Sequence, residues 1–174
     1  GANMTGPLAI ILGFASYAFI ILAMFRLFRI NYFNPIVKIF ATYLEPISKS
    51  AFFFLNPLLA ALAFALLLKF VSFYMIYSTG YEPLALLLIA SVNVINSCFR
   101  ILFYSVIGSV ILSWVAPGNN HPMLQIVEEM SGAVLNPIRK YVPPMGGLDF
   151  TPIIGLMLLN FINTLLIQVL GSLA

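Results

Sequence analysis

Two bases stand inside stretches that carry no other charge: Lys69 in the apolar run Pro57–Thr79, and Arg100 in the run Pro83–Val115. Counted from the ends of those runs, both fall near the middle of a bilayer-length segment. An ionised base at that depth costs about 2.5–3.5 kcal/mol on insertion scales. Such a residue is a candidate site for an anion, a lipid head group, a cofactor carboxylate or a water path. The plainer reading is snorkelling, or pairing with backbone carbonyls where two helices touch. No acid lies at matching depth, since Glu82 and Asp149 both sit in connections between runs. Around Arg100, the residues Asn93, Asn96, Ser97 and Tyr104 recur at spacings of three and four, and Asn160, Asn163, Thr164 and Gln168 do the same in the last run. Ser105, Ser109 and Ser113 add a row of small residues. Faces of this kind supply hydrogen bonds between helices. A water-lined pore would need them too, but these are narrow and interrupted, which favours packing.

A second group lies in a connection: Trp114, His121, Pro122, Pro137, Arg139, Lys140, Gly146, Gly147 and Asp149. His121 is the single histidine. It precedes a proline at a helix start, where its ring can accept from free N–H groups, and no set of further metal or haem ligands accompanies it. Asp149 stands just before Thr151-Pro152, where the positive end of a helix dipole favours a carboxylate. Arg139 and Lys140 lie a short loop away, which suits an ion pair, a docking surface or an anchor at anionic lipid head groups. The chain contains no H-E-x-x-H, Walker A loop, G-x-S-x-G or Cys/His cluster. With five acids and one histidine it is poor in acid–base groups. An enzyme is not expected, nor a resident metal or cofactor.

The elements that must position these residues follow from composition. The chain is 62% hydrophobic and only 7% charged, against roughly 25% charged for soluble domains. Its solvent must largely be lipid. Four spans are predicted: Pro7–Phe28, Pro57–Thr79, Pro83–Val115 and Pro152–Leu173. The third is about 50 Å long as one helix, longer than the ~30 Å hydrocarbon core. It is expected to be a single helix with Arg100 turned into protein. The first run lacks the basic n-region and small-residue exit of a signal peptide, so it is read as a retained span. Gly1-Ala2-Asn3, ahead of Met4, reads as a leftover tag. Cys98 is the only cysteine and lies in an apolar run, the setting of an inert buried thiol.

The chain is also written twice. Asn34-Pro35 recurs as His121-Pro122 at an offset of 87, half of 174 residues. At the same offset Tyr17 meets Tyr104, Ile39 meets Ile126 and Pro57 meets Pro144. The expected halves are 4–87 and 88–174, within one membrane domain. All basic residues except Lys69 and Arg100 fall in the two long connections or, for Arg26, at the edge of the first of them, which places those connections on the cytoplasmic side and both termini outside. The net charge of +3 therefore reflects topology, not nucleic-acid binding. The expected fold class is an all-α membrane protein: four transmembrane helices as two parallel two-span repeats, each with a cytoplasmic amphipathic helix. In the first connection Ile36, Ile39, Phe40, Tyr43, Leu44 and Ile47 form the apolar face, opposite Lys38, Thr42, Glu45 and Lys49. In the second, Met123, Ile126, Val127, Met130 and Val134 do so, and Asn136-Pro137 reads as a further helix start. Such helices lie on the membrane or against the end of the bundle.

The run Ser113-Trp114-Val115-Ala116-Pro117-Gly118-Asn119-Asn120-His121-Pro122, followed by the run from Asn136-Pro137-Ile138-Arg139-Lys140 through Pro143-Pro144-Met145-Gly146-Gly147-Leu148-Asp149-Phe150-Thr151-Pro152, closely resembles the YggT family. Its members carry an S-W…P-G…H-P block and then P-I-R-R-x-x-P-P-x-G-G-L-D-F-S-P. The stretch from Asn34 to Pro46 is similar to the first of two such repeats. The chain departs from the pattern at Ala133, where a proline is common. Lys140 replaces an arginine, which keeps charge but loses the guanidinium fork, and Lys49-Ser50 shorten the first basic tail. The resemblance implies a small bacterial inner-membrane protein, with YlmG-like relatives near cell-division genes. Plastid relatives are tied to nucleoid distribution and cytochrome-complex maturation, and bacterial members to osmotic tolerance and potassium handling.

The expected function is a non-enzymatic scaffold or assembly factor of the inner membrane. Its partners are expected to be the lipid bilayer and other membrane proteins, with anionic head groups and self-association as further contacts. The rival is an osmotic-stress ion channel or transporter with Lys69 and Arg100 along its path. A weaker alternative is a haem-maturation helper in which those bases hold an acidic group.

Overall fold

The computed structural model describes residues 2–173. They form seven helices: α1 (Ala2–Leu27), α2 (Pro35–Tyr43), α3 (Glu45–Ala51), α4 (Pro57–Tyr77), α5 (Pro83–Val115), α6 (Pro122–Arg139) and α7 (Thr151–Gly171). Of the residues read as a tag, Ala2 and Asn3 fall at the start of α1, and Gly1 and the side chains before Thr5 lie outside the described residues. Helices α1, α4, α5 and α7 are long and apolar enough to cross a membrane, as the hydropathy predicts.

Proline sets most of the starts. In α2, α4, α5 and α6 it occupies the first helical turn, where its missing N–H sacrifices no bond. Side chains before it accept from the freed amides: Asn34 from Ile36 N at 2.9 Å, Asn56 from Leu59 N at 2.8 Å, and His121 Nδ1 from Met123 N at 3.1 Å. In α7 the acceptor is not Thr151, which is already helical, but Asp149, two residues earlier.

Helix α1 packs along α4, α5 along α7, and α4 beside α5. The α1–α4 contact is made by small residues. Ala9 and Ser16 on α1 and Ala60, Ala61 and Ala65 on α4 are fully buried, which lets the backbones approach closely without a hydrophobic drive from lipid. The core continues through Phe19–Phe25 of α1 into Leu102 and Val106 of α5 and Ile126, Met130 and Leu135 of α6. Helix α7 is peripheral: 11% of its span is buried, against 44% for α1.

Helices α2, α3 and α6 gather at one end of the bundle, here termed the α6 side. The first connection is two helices, not one. It breaks at Leu44 because Pro46 lacks the N–H that would continue the ladder and its ring crowds the preceding turn. Its inward face is Val37, Ala41 and Ser48, whereas Ile39, Tyr43 and Ile47 of the expected apolar stripe are exposed. Helix α6 buries Ile126, Met130, Ser131 and Leu135 and runs unbroken past Asn136-Pro137. That pair is no second start, because Pro137 stands in the last turn, where few bonds remain to be lost. Gly155 brings α7 onto α6: a Cβ there would lie 2.6 Å from Leu135 Cδ2.

The two connections are tied together. Asn34, 2% exposed, donates from Nδ2 to Pro122 O at 2.9 Å while its oxygen caps α2. Glu129 accepts from the amide of Asn31 at 3.2 Å. Upstream, α1 closes with Arg29 in the left-handed region (φ 51°), the Ile30 amide donating to Phe25 O and the Arg29 amide to Arg26 O. This pair of bonds is the Schellman arrangement, usually built on glycine.

Candidate intramembrane binding site

The two buried-depth bases have different surroundings. Lys69 is 5% exposed in the α1–α4 interface. Its ammonium lies 4.5 Å from the Tyr17 ring centroid and 5.7 Å from that of Phe73, and it donates a long bond of 3.4 Å to Gly13 O. One turn further on, Ser72 Oγ donates to Ala9 O at 2.6 Å. Desolvated cation–π contact contributes about 2 kcal/mol, which offsets most of the cost of the charge. Lys69 is thus held by its own protein as a helix-pairing residue. Gly13 and Tyr17, which hold it, carry no sign in the sequence that marks them as its partners.

Arg100 is expected inside protein and is instead exposed. Helix α7 covers only one flank of α5 there, so the guanidinium opens to the uncovered side. It forms part of a recess of about 180 Å³ lined by Asn96, Phe99, Phe103, Tyr104, Leu159, Asn160 and Asn163. Asn163 donates from Nδ2 to Asn96 Oδ1 at 2.9 Å, joining α7 to α5 near the middle of both helices. The other oxygen of that pair, Asn163 Oδ1, is buried without a donor. Among the described residues no carboxylate pairs with Arg100, since the two ion pairs are Arg26–Glu45 and Arg139–Asp149.

The polar stripe on α5 divides accordingly. Asn96, Arg100 and Tyr104 face the recess. Ser97 is buried and donates to Asn93 O at 2.8 Å, and Asn93 Oδ1 is buried without a donor. Of the α7 stripe, Asn160 and Asn163 join the recess, while Thr164 and Gln168 stand exposed outside it. Ser105 and Ser113 bond back to their own helix, and Ser109 donates to Glu128 of α6 at 3.1 Å.

On the α6 side the motif residues form a turn and an ion pair. Gly146 (φ 61°) and Gly147 (φ 78°) are both left-handed, and Met145 and Leu148 exchange two backbone bonds of 3.0 Å. Two consecutive positive φ values define the type I′ reversal, hence the glycine pair. The reversal delivers Asp149, whose Oδ1 accepts from the Thr151 hydroxyl and amide and whose Oδ2 accepts from Arg139 at 3.2 Å. The Thr151 hydroxyl first, with the Arg139 guanidinium behind it, holds the Asp149 carboxyl below the usual carboxylate range. Arg139 also donates to Asn136 Oδ1 at 3.0 Å. Pro137 stands in the last turn of α6, His121 caps its start, and Trp114 and Lys140 are exposed.

The profile of the CCB3/YggT family matches residues 88–170, the half that holds Arg100, the α6 side motif and α7. An uncharacterized protein of Pseudomonas aeruginosa, PA0392, is 32% identical, with 90% of this chain and 85% of that one covered. An uncharacterized protein of Haemophilus influenzae is 28% identical, with 88% and 86% covered. The uncharacterized protein YggT of Escherichia coli K12 is 35% identical over 72 residues, 41% of this chain and 38% of that protein. No solved structure matches. Four apolar spans and the profile over the second half agree with similarity along nearly the whole chain: this membrane protein belongs to the CCB3/YggT family.

Proposed function

We propose that the protein is a non-enzymatic scaffold or assembly factor of a bacterial inner membrane, binding other membrane proteins. The observation that carries this reading is Arg100: an exposed, unpaired base at mid-span, beside an asparagine oxygen without a donor. Groups left in that state are expensive in lipid, and a partner that satisfies them gains specificity. The peripheral placement of α7 supports the same reading, because it leaves a long lateral surface. On the α6 side, taken as cytoplasmic from the positive-inside bias, Lys140 and the Arg139–Asp149 pair offer a second, polar contact surface. The two helix pairs, α1 with α4 and α5 with α7, support descent from a duplicated two-span unit whose halves insert in the same sense.

Conduction draws less support. A path through both bases needs them in one cavity, whereas Lys69 lies between α1 and α4 and Arg100 opens laterally beside α7. Site-specific photo-cross-linking in native membranes tests the scaffold. Photoreactive side chains at 104 and 161, near the recess, and at 140 on the α6 side should capture defined membrane proteins that one at 74 does not. Identical captures from all four positions refute it.

A further inference from the structure

Resting on the scaffold reading, we propose that the Arg100 recess is a binding site for a carboxylate carried at mid-bilayer depth on a transmembrane helix of another membrane protein. Depth is fixed by geometry. Arg100 lies beside Asn160 and Asn163, which stand near the middle of α7, a helix of 21 residues. Either end of such a helix is about 15 Å from its centre.

Three occupants could neutralise the guanidinium, and depth separates them. A lipid phosphate sits at the head-group level, about 15 Å away from the bilayer centre, whereas the recess lies near the middle of α7. A second copy of this chain has no acid to offer at that depth. Its five acids are Glu45, Glu82, Glu128, Glu129 and Asp149. Glu82 only begins α5, and the others belong to α3, to α6 or to the loop before α7. A partner helix with an aspartate or glutamate at its centre meets the charge directly. Guanidinium binds carboxylate bidentately, through two parallel N–H···O bonds.

The rest of the recess matches that guest. Asn160 is exposed beside Arg100 and offers an amide N–H₂ to the same carboxylate. Asn163 Oδ1, buried and without a donor, awaits a hydroxyl or amide N–H next to it. The flanking surface of α7, with Ile153, Met157, Phe161 and Leu165 exposed, is apolar enough to pack a helix along it. By contrast, Lys69 is already covered by Tyr17, Phe73 and Gly13 O and has no vacancy.

The test uses the full chain reconstituted in phosphatidylcholine vesicles and a synthetic leucine–alanine transmembrane helix with one central aspartate. Binding is read by fluorescence energy transfer, beside the same helix with a central leucine. The aspartate helix should bind on the order of tenfold more tightly. The preference should vanish in Arg100→Gln, persist in part in Arg100→Lys, and fall several-fold in Asn160→Leu. Equal binding of the two helices to the wild-type chain overturns the proposal without any variant. A preference that survives Arg100→Gln overturns it too. Loss of the preference when phosphatidylglycerol is added assigns the recess to a lipid phosphate, and self-association that depends on Arg100 assigns it to a second copy; either result overturns it. Native cross-links that persist while the probe shows no preference would leave the scaffold standing and remove the carboxylate.

Discussion

Lys69 offers the sharpest test of how an intramembrane charge is tolerated. Replacing it with methionine keeps length and removes the ammonium. The favourable terms lost are cation–π contact with the Tyr17 and Phe73 rings at 4.5 and 5.7 Å, about 2 kcal/mol when desolvated, and a 3.4 Å bond to Gly13 O, about 0.6 kcal/mol. The unfavourable term removed is up to about 2.5–3.5 kcal/mol for the base at mid-bilayer. The balance is close: Lys69→Met is expected to be neutral or to stabilise by up to about 1 kcal/mol. Tyr17→Leu in the wild-type background strips the cation of its best partner, whereas in the Lys69→Met background it removes only ring packing. The double-mutant cycle should therefore show a favourable coupling of about 1–2 kcal/mol. Reversible unfolding in mixed micelles, titrated with sodium dodecyl sulfate, measures all four proteins. Coupling below about 0.5 kcal/mol, the usual limit of additivity, would refute the reasoning. So would a Lys69→Met loss above about 2 kcal/mol, which would mean that the ammonium anchors more than these contacts.

Other perturbations probe the α6 side. Asn34→Ala loses both the α2 cap and the bond to Pro122 O and should cost about 1–3 kcal/mol in the same titration. Asn34→Ser, which can still cap, should recover part of that. Glu45→Gln breaks the two-bond pair with Arg26, whose side chains are 32% and 16% exposed. The expected loss is about 1–2 kcal/mol, falling with added salt if the pair is solvated. The depressed Asp149 carboxyl favours the folded loop at pH values above its ordinary pKa of about 3.9, and that contribution disappears as pH falls through its lower folded value. Proteolysis of the Pro143–Leu148 reversal should thus accelerate in acid for the wild type, with a flatter profile for Asp149→Asn. Gly147→Ala meets no atoms within 4 Å, so only the left-handed backbone resists it, by about 1–2 kcal/mol. It should expose the same loop at neutral pH.

The spans were legible because hydropathy over twenty residues integrates a large signal, and the starts of α2, α4, α5 and α6 because X-Pro writes a cap and a fixed φ into two adjacent letters. Less was legible where the answer depends on what lies alongside. The stripe through Asn96, Arg100 and Tyr104 marked a polar face, but which sector α7 would cover depends on the Asn96–Asn163 register, set by tertiary packing. Arg100 therefore emerged outward although burial is the cheaper expectation. The oxygen that Lys69 bonds is the carbonyl of Gly13, a group every residue possesses, so no letter could announce it. In the first connection, helical periodicity continued across Pro46 on paper, while the missing N–H divided it at Leu44. Pro137 erred the other way: near the end of α6 it interrupts too few bonds to act as a boundary. The Arg139–Asp149 pair could be foreseen from proximity alone, with the glycine reversal that brings it together.

Helix α5 has 33 residues where α7 spans with 21, and its excess at the α6 side is the mount for α6. A Cβ on Gly108 would lie 3.4 Å from Val127 Cγ1, and Ser109 donates to Glu128. No proline or break interrupts α5 between Arg100 and that mount, so the segment is built as one rod. From Arg100 to Val115 it is about 22 Å long, and a tilt of roughly 10° about mid-bilayer carries its tip some 4 Å sideways. A reorientation of α5 at mid-bilayer would therefore be carried along one continuous helix to α6, with no joint between to absorb it.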